Sequence, residues 1–247
     1  MNDALKPFIR SFAIQEMAEE GEYKVLPDTG VVIGFQYKGG LFRVDDGQST
    51  ALTISGISGL ADRSRIFRNQ AGTGTILVFF KEAGAAAFFR EPLHELFRES
   101  ISLDSFLLRS ELLALEERLI DAPTNAERIA RLEKFFIGRM THHEPDKLVL
   151  AALALIHKSQ GNIRIQEVVR QLHISQSPLE KRFRAVVGAS PKKFASIVRL
   201  KNVLRQYSAT GSLTELGYEA GFYDQAHFIK EFKAFTGDTP EEFFRGK

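Results

Sequence analysis

The chain has 247 residues, 44% of them hydrophobic, and its 33 Lys and Arg against 31 Asp and Glu give a formal net charge of +2. That length accommodates two ordinary domains, each able to bury a core. The absence of cysteine excludes disulfides, cysteine-ligated zinc and thiol redox sensing, and it is compatible with a reducing cytoplasm. No apolar run approaches about 18 residues, so we expect no membrane span, no signal peptide and a cytoplasmic protein.

The N-terminal part of the chain contains short runs rich in β-branched and aromatic residues. Turn sequences such as Asp45-Asp46-Gly47 and Gly72-Thr73-Gly74 separate them. Because phosphate-cradling glycine loops follow a strand and open a helix, whereas 72–74 precedes a strand, we interpret it as a turn. The pattern predicts a small antiparallel sheet or barrel. The predicted strands are 8–14, 31–37, 41–44, 51–55 and 75–80.

Helical periodicity begins near Pro92. Residues 103–119 and 126–140 each form an apolar stripe flanked by charges, and Thr124 is placed to cap the second helix with Glu127 as its capping-box partner. Two interpretations of these stripes stay open. They pack within the monomer, or they form a homodimer interface.

The C-terminal part contains one twenty-residue unit twice. Residues 175–194 align without a gap with residues 224–243, at a constant offset of 49 positions. A repeat of this kind indicates one supersecondary unit that occurs twice. The identical pairs are Gln176/Gln225, Lys181/Lys230, Phe183/Phe232, Ala185/Ala234, Gly188/Gly237, Pro191/Pro240 and Phe194/Phe243.

Each copy predicts an amphipathic helix that ends at glycine and precedes a second, capped helix. Gly188 and Gly237 end the first helices, and the hydroxyl-proline pairs at 190–191 and 239–240 begin the next ones, with Glu242 completing a capping box. The apolar stripes are Leu179, Phe183, Val186 and Val187 in the first copy and Phe228, Phe232 and Phe235 in the second.

A shorter helix and a tight turn precede each copy. Residues 165–172 keep helical spacing before a turn at 173–174, and a Ser212–Glu215 capping box begins a helix that runs into a turn at 221–223. This is the helix-turn-helix arrangement, occurring twice. Residues 190–208 predict one continuous connecting helix of roughly 27 Å, which suits successive major grooves on one face of B-DNA.

The faces opposite the apolar stripes carry residues that hydrogen-bond to bases or phosphates. Glu180 has a second interpretation, as the capping-box partner of Ser177. The candidate DNA-contacting residues are Ser177, Glu180, Lys181 and Arg184 in the first unit and Gln225, Ala226, Ile229, Lys230 and Lys233 in the second.

The run 221–233, Gly-Phe-Tyr-Asp-Gln-Ala-His-Phe-Ile-Lys-Glu-Phe-Lys, with the cap at 237–243, resembles the signature of the AraC/XylS family of bacterial transcription regulators. The resemblance covers about residues 147–244. It implies that double-stranded DNA and RNA polymerase are partners. It also implies that base contacts fall on Ser177, Glu180, Lys181, Gln225, Ala226, Ile229 and Lys230.

Two positions depart from the family pattern. Gly217 stands where the family usually has alanine, and Val168-Val169 replaces a small residue in the first unit. Since glycine in a helix interior costs about 1 kcal/mol relative to alanine, we expect the second hairpin to be slightly less stable than is typical.

The sequence thus predicts an α+β fold with a β-rich domain at 1–119, a helical linker region at 120–146 and a DNA-binding domain at 147–247. Residues 141–247 carry 16 Lys and Arg against 11 Asp and Glu, so the basic excess falls in the predicted DNA-binding part. Residues 25–28 and 84–96 resemble parts of the N-terminal sensor domains of some AraC-type regulators.

The function of the N-terminal domain has two interpretations. It binds a small-molecule effector, or it serves only dimerisation or protein interaction. For an effector we expect apolar walls from Phe35, Tyr37 and Phe42. For an anionic group on that effector, the candidates are Arg63, Arg65 and Arg68.

We expect no enzyme, no cofactor and no metal site. All six histidines follow the predicted strands, and no serine or lysine has a base at recognisable spacing. Residues 142–144 are interpreted as a solvated linker rather than as a cluster of metal ligands. His227 is interpreted as a packing or phosphate contact.

Overall fold

The structure, a computed structural model, describes residues 1–141, 144–207, 213–222 and 224–245, with only the backbone at 213 and 214. Its N-terminal half is built of antiparallel strands in two sheets. The strands are β1 Ile9–Met17, β2 Gly21–Val25, β3 Val32–Lys38, β4 Leu41–Asp45, β5 Gln48–Ala51, β6 Ser55–Ser58, β7 Arg65–Asn69, β8 Thr73–Phe80 and β9 Ser100–Ser102.

The larger sheet has the strand order β1-β8-β3-β6-β9, and the smaller has the order β2-β7-β4-β5. β3 and β8 lie at the centre of the larger sheet and are covered on both faces. On one face of these strands, Ile33, Phe35, Ile76 and Val78 are fully buried in the core. On the opposite face, Val32 and Leu77 line a cavity of the β domain. Apolar residues therefore occur on both faces of these strands, as expected for strands buried on both sides.

The predicted strands 8–14, 31–37, 41–44 and 75–80 are confirmed as β1, β3, β4 and β8. The predicted strand 51–55 is wrong, because the chain leaves β5 at Ala51 and begins β6 only at Ser55. Strands β2, β7 and β9 were not predicted. β2 and β7 are rich in charged and polar residues, since they form part of a half-exposed sheet, and so they lack the strongly apolar pattern.

The helices are α1 Arg109–Ile120, α2 Asn125–Arg139, α3 Lys147–Lys158, α4 Ile165–Gln171, α5 Gln176–Val187, α6 Pro191–Gln206, α7 Leu213–Glu219, α8 Gln225–Thr236 and α9 Pro240–Arg245. The helix predicted from Leu103 begins later than expected, because a 3-10 turn at Leu103–Ser105 precedes α1. The predicted Thr124 cap of α2 is confirmed, but Glu127 is not its capping-box partner, because the Glu127 carboxylate pairs with Arg131. The Thr124 hydroxyl accepts a hydrogen bond of 3.2 Å from the Glu127 amide.

The stripes of α1 and α2 pack within the chain. Leu112, Leu115 and Leu119 of α1 and Leu132 and Phe136 of α2 are buried in the core. The ring of Phe136 lies edge-on to Phe80 of the large sheet, at 5.6 Å. Packing within the monomer therefore accounts for the stripes, and homodimerisation stays a prediction.

Two helix-turn-helix units, α4–α5 and α7–α8, follow α3 and are joined by α6. The predicted ends of α5 and α8 at Gly188 and Gly237 are confirmed, since these glycines adopt φ values of 93° and 90°. The Ser190 and Thr239 hydroxyls each accept a hydrogen bond from an amide three residues later, at 3.3 Å. The predicted Ser212 cap lies outside the described residues.

None of the helices in the described ranges combines the length and apolar character needed to cross a membrane.

Candidate nucleic-acid interface and ligand cavity

The outward faces of α5 and α8 are those predicted from the apolar stripes. Leu179, Phe183, Phe228 and Phe232 are each at most 1% exposed, so both helices turn their opposite faces to solvent. Glu180 is half-buried. The remaining candidates are exposed: Ser177, Lys181, Arg184, Gln225, Ala226, Ile229, Lys230 and Lys233.

The capping interpretation of Ser177 and Glu180 is wrong. α5 begins at Gln176 with Ser175 as its N-cap residue, so Ser177 already lies inside the helix. Glu180 instead accepts a hydrogen bond of 2.8 Å from the side-chain amide of Gln176. Glu180 is therefore available on the outward face beside Lys181.

The cations of the C-terminal domain fall into two groups. Among the described residues, Lys181, Arg184, Lys230 and Lys233 have no carboxylate within ion-pair distance. Other cations of this domain are paired within the chain: Arg182 with Asp146, Lys193 with Asp62, Arg199 with Glu231 and Lys201 with Asp28. The outward faces of α5 and α8 thus carry unpaired positive charge, as binding to phosphates requires.

Helix α6 joins the DNA-binding domain to the β domain through ion pairs. Lys193 lies 2.6 Å from Asp62, which also accepts hydrogen bonds from Arg98. Burial by itself would raise the pKa of Asp62, but the hydrogen bonds from Arg98 and Lys193 outweigh it and hold the pKa well below its usual range. The carboxylate is therefore ionised, and the contact is electrostatic.

Two further contacts between the domains lie near the same surface. His157 of α3 lies 3.3 Å from Glu82. Burial opposes ionisation of Glu82, yet hydrogen bonds from His157, the backbone and Thr29 together with the charge of His157 outweigh it, and the pKa falls to about 2. Lys24 of β2 lies 2.5 Å from Asp238, just beyond α8. Helix α3 and the second helix-turn-helix unit are thus held close to the β domain.

A cavity of about 630 Å³ lies in the β domain and is lined by residues of both sheets. Arg63 and Arg65 line it, as expected, and so does Arg43. Arg68 does not, because it lies on the opposite face of β7 and stacks over Phe42 at 5.4 Å.

The predicted apolar walls Phe35, Tyr37 and Phe42 are wrong. Phe35 is buried in the core on the other face of β3, Tyr37 contacts Glu16 and Arg128, and Phe42 lies on the outer face of β4. Side chains alternate along a strand, so a one-residue difference in register moves each aromatic to the opposite face. Val32, Leu77 and Phe79 line the cavity instead.

No group of three His, Asp or Glu side chains within the described ranges is arranged to hold a metal ion. His227 packs its ring against Phe222 at 5.7 Å and lies 3.1 Å from Glu231, which fits the packing interpretation. His142 and His143, of the cluster at 142–144, lie outside the described residues.

Two segments of the chain match known domain families. Residues 2–102 match a domain of unknown function (DUF6597), and residues 168–246 match a helix-turn-helix domain. The first match covers the strands, and the second covers most of α4 and everything that follows it.

Curated relatives are transcription regulators. The chain is 32% identical over 93 residues to the Msm operon regulatory protein of Streptococcus mutans, covering 36% of this chain and 33% of the relative. It is 30% identical over 142 residues to the arabinose operon regulatory protein of Escherichia coli, covering 56% and 45%. The chain thus spans less than half the length of these relatives.

A solved structure shares the whole fold. ToxT from Vibrio cholerae superposes with a TM-score of 0.50 at 11% identity, over 95% of this chain and 97% of that chain. The likeness extends over the β domain, the connecting helices and both helix-turn-helix units. That likeness, at 11% identity, shows the fold alone. The helix-turn-helix match over residues 168–246 and the curated relatives support an AraC/XylS-type transcription regulator.

Proposed function

We propose that the protein is a sequence-specific DNA-binding transcription regulator that contacts two successive major grooves with α5 and α8. The observation that carries the proposal is the charge distribution on these helices. Cations on their outward faces have no carboxylate within ion-pair distance in the described chain, whereas Arg182 of α5 and Lys193 and Lys201 of α6 are paired. Free Lys and Arg on an exposed helix bind phosphates and base edges.

Individual contacts follow from the side chains on each face. Lys181 and Lys230 occupy equivalent positions and suit guanine acceptors, Gln225 suits adenine, and Ala226 and Ile229 suit the thymine methyl group. Arg184 and Lys233 lie one turn further along and suit phosphates. α6, at 16 residues, spans roughly 24 Å and separates the two contact surfaces.

The test uses the full chain and an operator selected from random DNA. Lys181→Ala and Lys230→Ala should each weaken operator binding by about 1–3 kcal/mol and leave random-sequence binding much less changed. The two losses should nearly add, because the residues lie on separate helices. Operator affinity should fall with salt at a log-log slope of about −5 to −8 if that many phosphates are neutralised.

The matched control is Arg182→Ala, which removes the neighbouring cation of α5 that is bound to Asp146. It should leave operator affinity nearly unchanged in the folded chain. Equal losses for Arg182→Ala and Lys181→Ala, or a folded chain with no salt-dependent DNA binding, would contradict the proposed interface.

We also infer that a small molecule in the β-domain cavity controls DNA binding. Asp28 supports this, because it lines the cavity and also pairs with Lys201 of α6 and with Arg10. Burial opposes ionisation of Asp28, but hydrogen bonds from Arg10 and Lys201 outweigh it and keep its pKa well below the usual range. A ligand that displaces the segment around Asp28 therefore changes how α6 is held.

A metabolite library screened by thermal shift on the full chain tests ligand control, since a ligand that binds the folded state raises its melting temperature. The alternative is a β domain that serves only dimerisation or protein interaction. A tight homodimer with no ligand-induced shift would favour that alternative.

We propose RNA polymerase as a further partner of the protein. We also propose that the protein is not an enzyme and that it is located in the cytoplasm.

A further inference from the structure

Arg65 brings a positive charge into the cavity without a carboxylate partner. It lies on β7, lines the cavity, and donates to the backbone carbonyls of Gly59 at 3.2 Å and Glu99 at 3.3 Å. Of the ion pairs formed in the described part of the chain, none includes Arg65. Backbone carbonyls satisfy its hydrogen bonds, while the carboxylates of Glu99 and Asp45 act on its charge only from beyond ion-pair distance.

Arg43 adds a second charge on the neighbouring strand β4. Its Nε lies 2.6 Å from Asp45 in an ion pair, yet this buried Nε has no hydrogen-bond acceptor among the described residues. The Asp45 side chain also lines the cavity but is 60% exposed. Asp28, another acid of the lining, is already bound to Arg10 and Lys201.

The position of Arg65 disfavours its own charge. Burial, and then repulsion from Arg43, lower the pKa of Arg65 to about 10. Its guanidinium is still charged at neutral pH. An acidic group placed beside it would relieve both the burial cost and the repulsion.

The large sheet contributes an apolar, recessed patch to the cavity wall, beside polar side chains such as Gln15, Gln36 and Thr75. Val32, Leu77 and Phe79 form this patch, and Gly34 lies directly opposite Gly56 in the pairing of β3 with β6. A Cβ on Gly34 would lie no closer than 3.5 Å to any neighbour, so the two glycines leave room for a bound molecule.

We propose that the cavity binds an organic anion whose acidic group lies on Arg65 and Arg43 and whose apolar body lies against Val32, Leu77 and Phe79. The proposal rests on the proposed function, in which this cavity binds a small molecule, and it names the chemical class of that molecule. A neutral polyol would leave Arg65 without an ion-pair partner and the apolar patch in contact with polar groups.

The experiment compares two fluorescent probes of nearly equal shape on the full chain. One is the anion 8-anilinonaphthalene-1-sulfonate, and the other is neutral N-phenyl-1-naphthylamine, which lacks the sulfonate. The anion should bind roughly tenfold or more tightly than the neutral probe, the effect of one charge-assisted contact. Arg65→Gln should remove that difference and leave the neutral probe within about twofold, whereas Arg65→Lys should retain part of it.

Arg68→Gln is the matched control, because Arg68 lies on the same strand but on its outer face. It should leave both affinities unchanged. Gly34→Val fills the cavity and should weaken both probes, which locates them there. Should Arg65→Gln fail to fold, Arg43→Gln tests the same charge from the neighbouring strand.

Two results overturn the proposal in distinguishable ways. Equal affinity for the two probes, or equal losses for Arg65→Gln and Arg68→Gln, would show that the cavity does not select an anion, while ligand binding there survives. Binding of neither probe, or insensitivity of both to Gly34→Val, would overturn the cavity's proposed ligand role as well.

Discussion

The two helix-turn-helix units share their recognition helices and caps but differ in their turns and interiors. α5 and α8 are offset by 49 positions, as the sequence repeat predicts, whereas α4 and α7 are offset by 48. Four residues separate α4 from α5, and five separate α7 from α8. The gapless repeat therefore stops at the recognition helix, and the second unit has one more residue in its turn.

Both turns begin with an equivalent backbone hydrogen bond at the C-terminus of the preceding helix. The Ile174 amide donates to the Val169 carbonyl at 3.1 Å, and the Phe222 amide donates to the Gly217 carbonyl at 3.1 Å. The residue in the left-handed region differs, because it is His173 in the first unit, with φ 50°, and Gly221 in the second, with φ 75°. The first unit thus tolerates a side chain where the second has none.

At two equivalent positions the interiors of the units differ in side-chain size, and the two differences have opposite signs. The first unit has Val169 and Leu179 where the second has Gly217 and Phe228, at the offsets of their respective helices. A Cβ on Gly217 would lie 3.2 Å from the Phe228 ring. The glycine that departs from the family pattern therefore makes room for the larger ring, and each unit balances its own volume.

The largest expected effect is loss of the buried phenylalanines. Phe183→Ala and Phe232→Ala should each destabilise the chain by about 3–5 kcal/mol, because both rings are fully buried. Denaturant unfolding measures the loss, and hydrogen exchange should locate it to the unit that carries the substitution. The control Ile229→Ala, on the exposed face of α8, should cost less than about 0.5 kcal/mol. A Phe232→Ala chain of wild-type stability would mean that the apolar face is misassigned.

A smaller effect separates the two turns. Gly221→Ala should cost about 1–3 kcal/mol, since alanine is strained at positive φ and its Cβ would lie 2.6 Å from the Asn162 side chain. His173→Ala should change stability by less than about 0.5 kcal/mol, because that turn already holds a side chain. Thermal and urea unfolding of the two variants test this, and equal losses would contradict the difference between the turns.

These opposite differences in side-chain size predict a coupling between Gly217 and Phe228. Gly217→Ala should be neutral or destabilising in the native chain, because the gain in helix propensity is offset by the clash with the ring. In a Phe228→Leu background the same change should stabilise by about 1 kcal/mol, the helix propensity of alanine over glycine. A double-mutant cycle by urea unfolding should therefore give about 1–2 kcal/mol of coupling. Additive effects would contradict the idea that Gly217 makes room for the Phe228 ring.

The smallest effect distinguishes the caps of α6 and α9. Thr239 has a carboxylate partner, since its amide donates to Glu242 at 2.9 Å, and these hydrogen bonds lower the pKa of Glu242. A lowered pKa stabilises the folded state above the unfolded value of about 4.3, and the contribution is lost as pH falls through the lower folded value. The stability difference between the native chain and Glu242→Gln should thus shrink below about pH 4.

Ser190 provides the matched comparison, because its hydroxyl accepts a hydrogen bond from the Lys193 amide and this cap involves no carboxylate. The cost of Ser190→Ala should be about 1 kcal/mol and nearly independent of pH. Unfolding free energies measured at several pH values check both caps. A Glu242→Gln difference that is constant with pH would contradict the role of its ionised carboxylate.

Prediction from the sequence succeeded where the signal is local. The caps at Thr124, Ser190 and Thr239 and the stops at Gly188 and Gly237 are confirmed, because each involves groups only a few residues apart. The assignments of Phe35 and Tyr37 to the cavity failed, since apolar residues on both faces of β3 give no alternation from which to choose a face. The domain boundaries and DNA-contacting residues stay predictions.

By itself the sequence determined the repeated units, their caps and the outward faces of α5 and α8, because helical periodicity and capping depend on neighbours within about one turn. Only the tertiary structure decided which arginines line the cavity and how the domains meet. The pairs Lys193–Asp62 and Lys201–Asp28 join residues 131 and 173 positions apart. No local pattern specifies such pairs, because they form only when packing of the β domain against α6 brings the charges together.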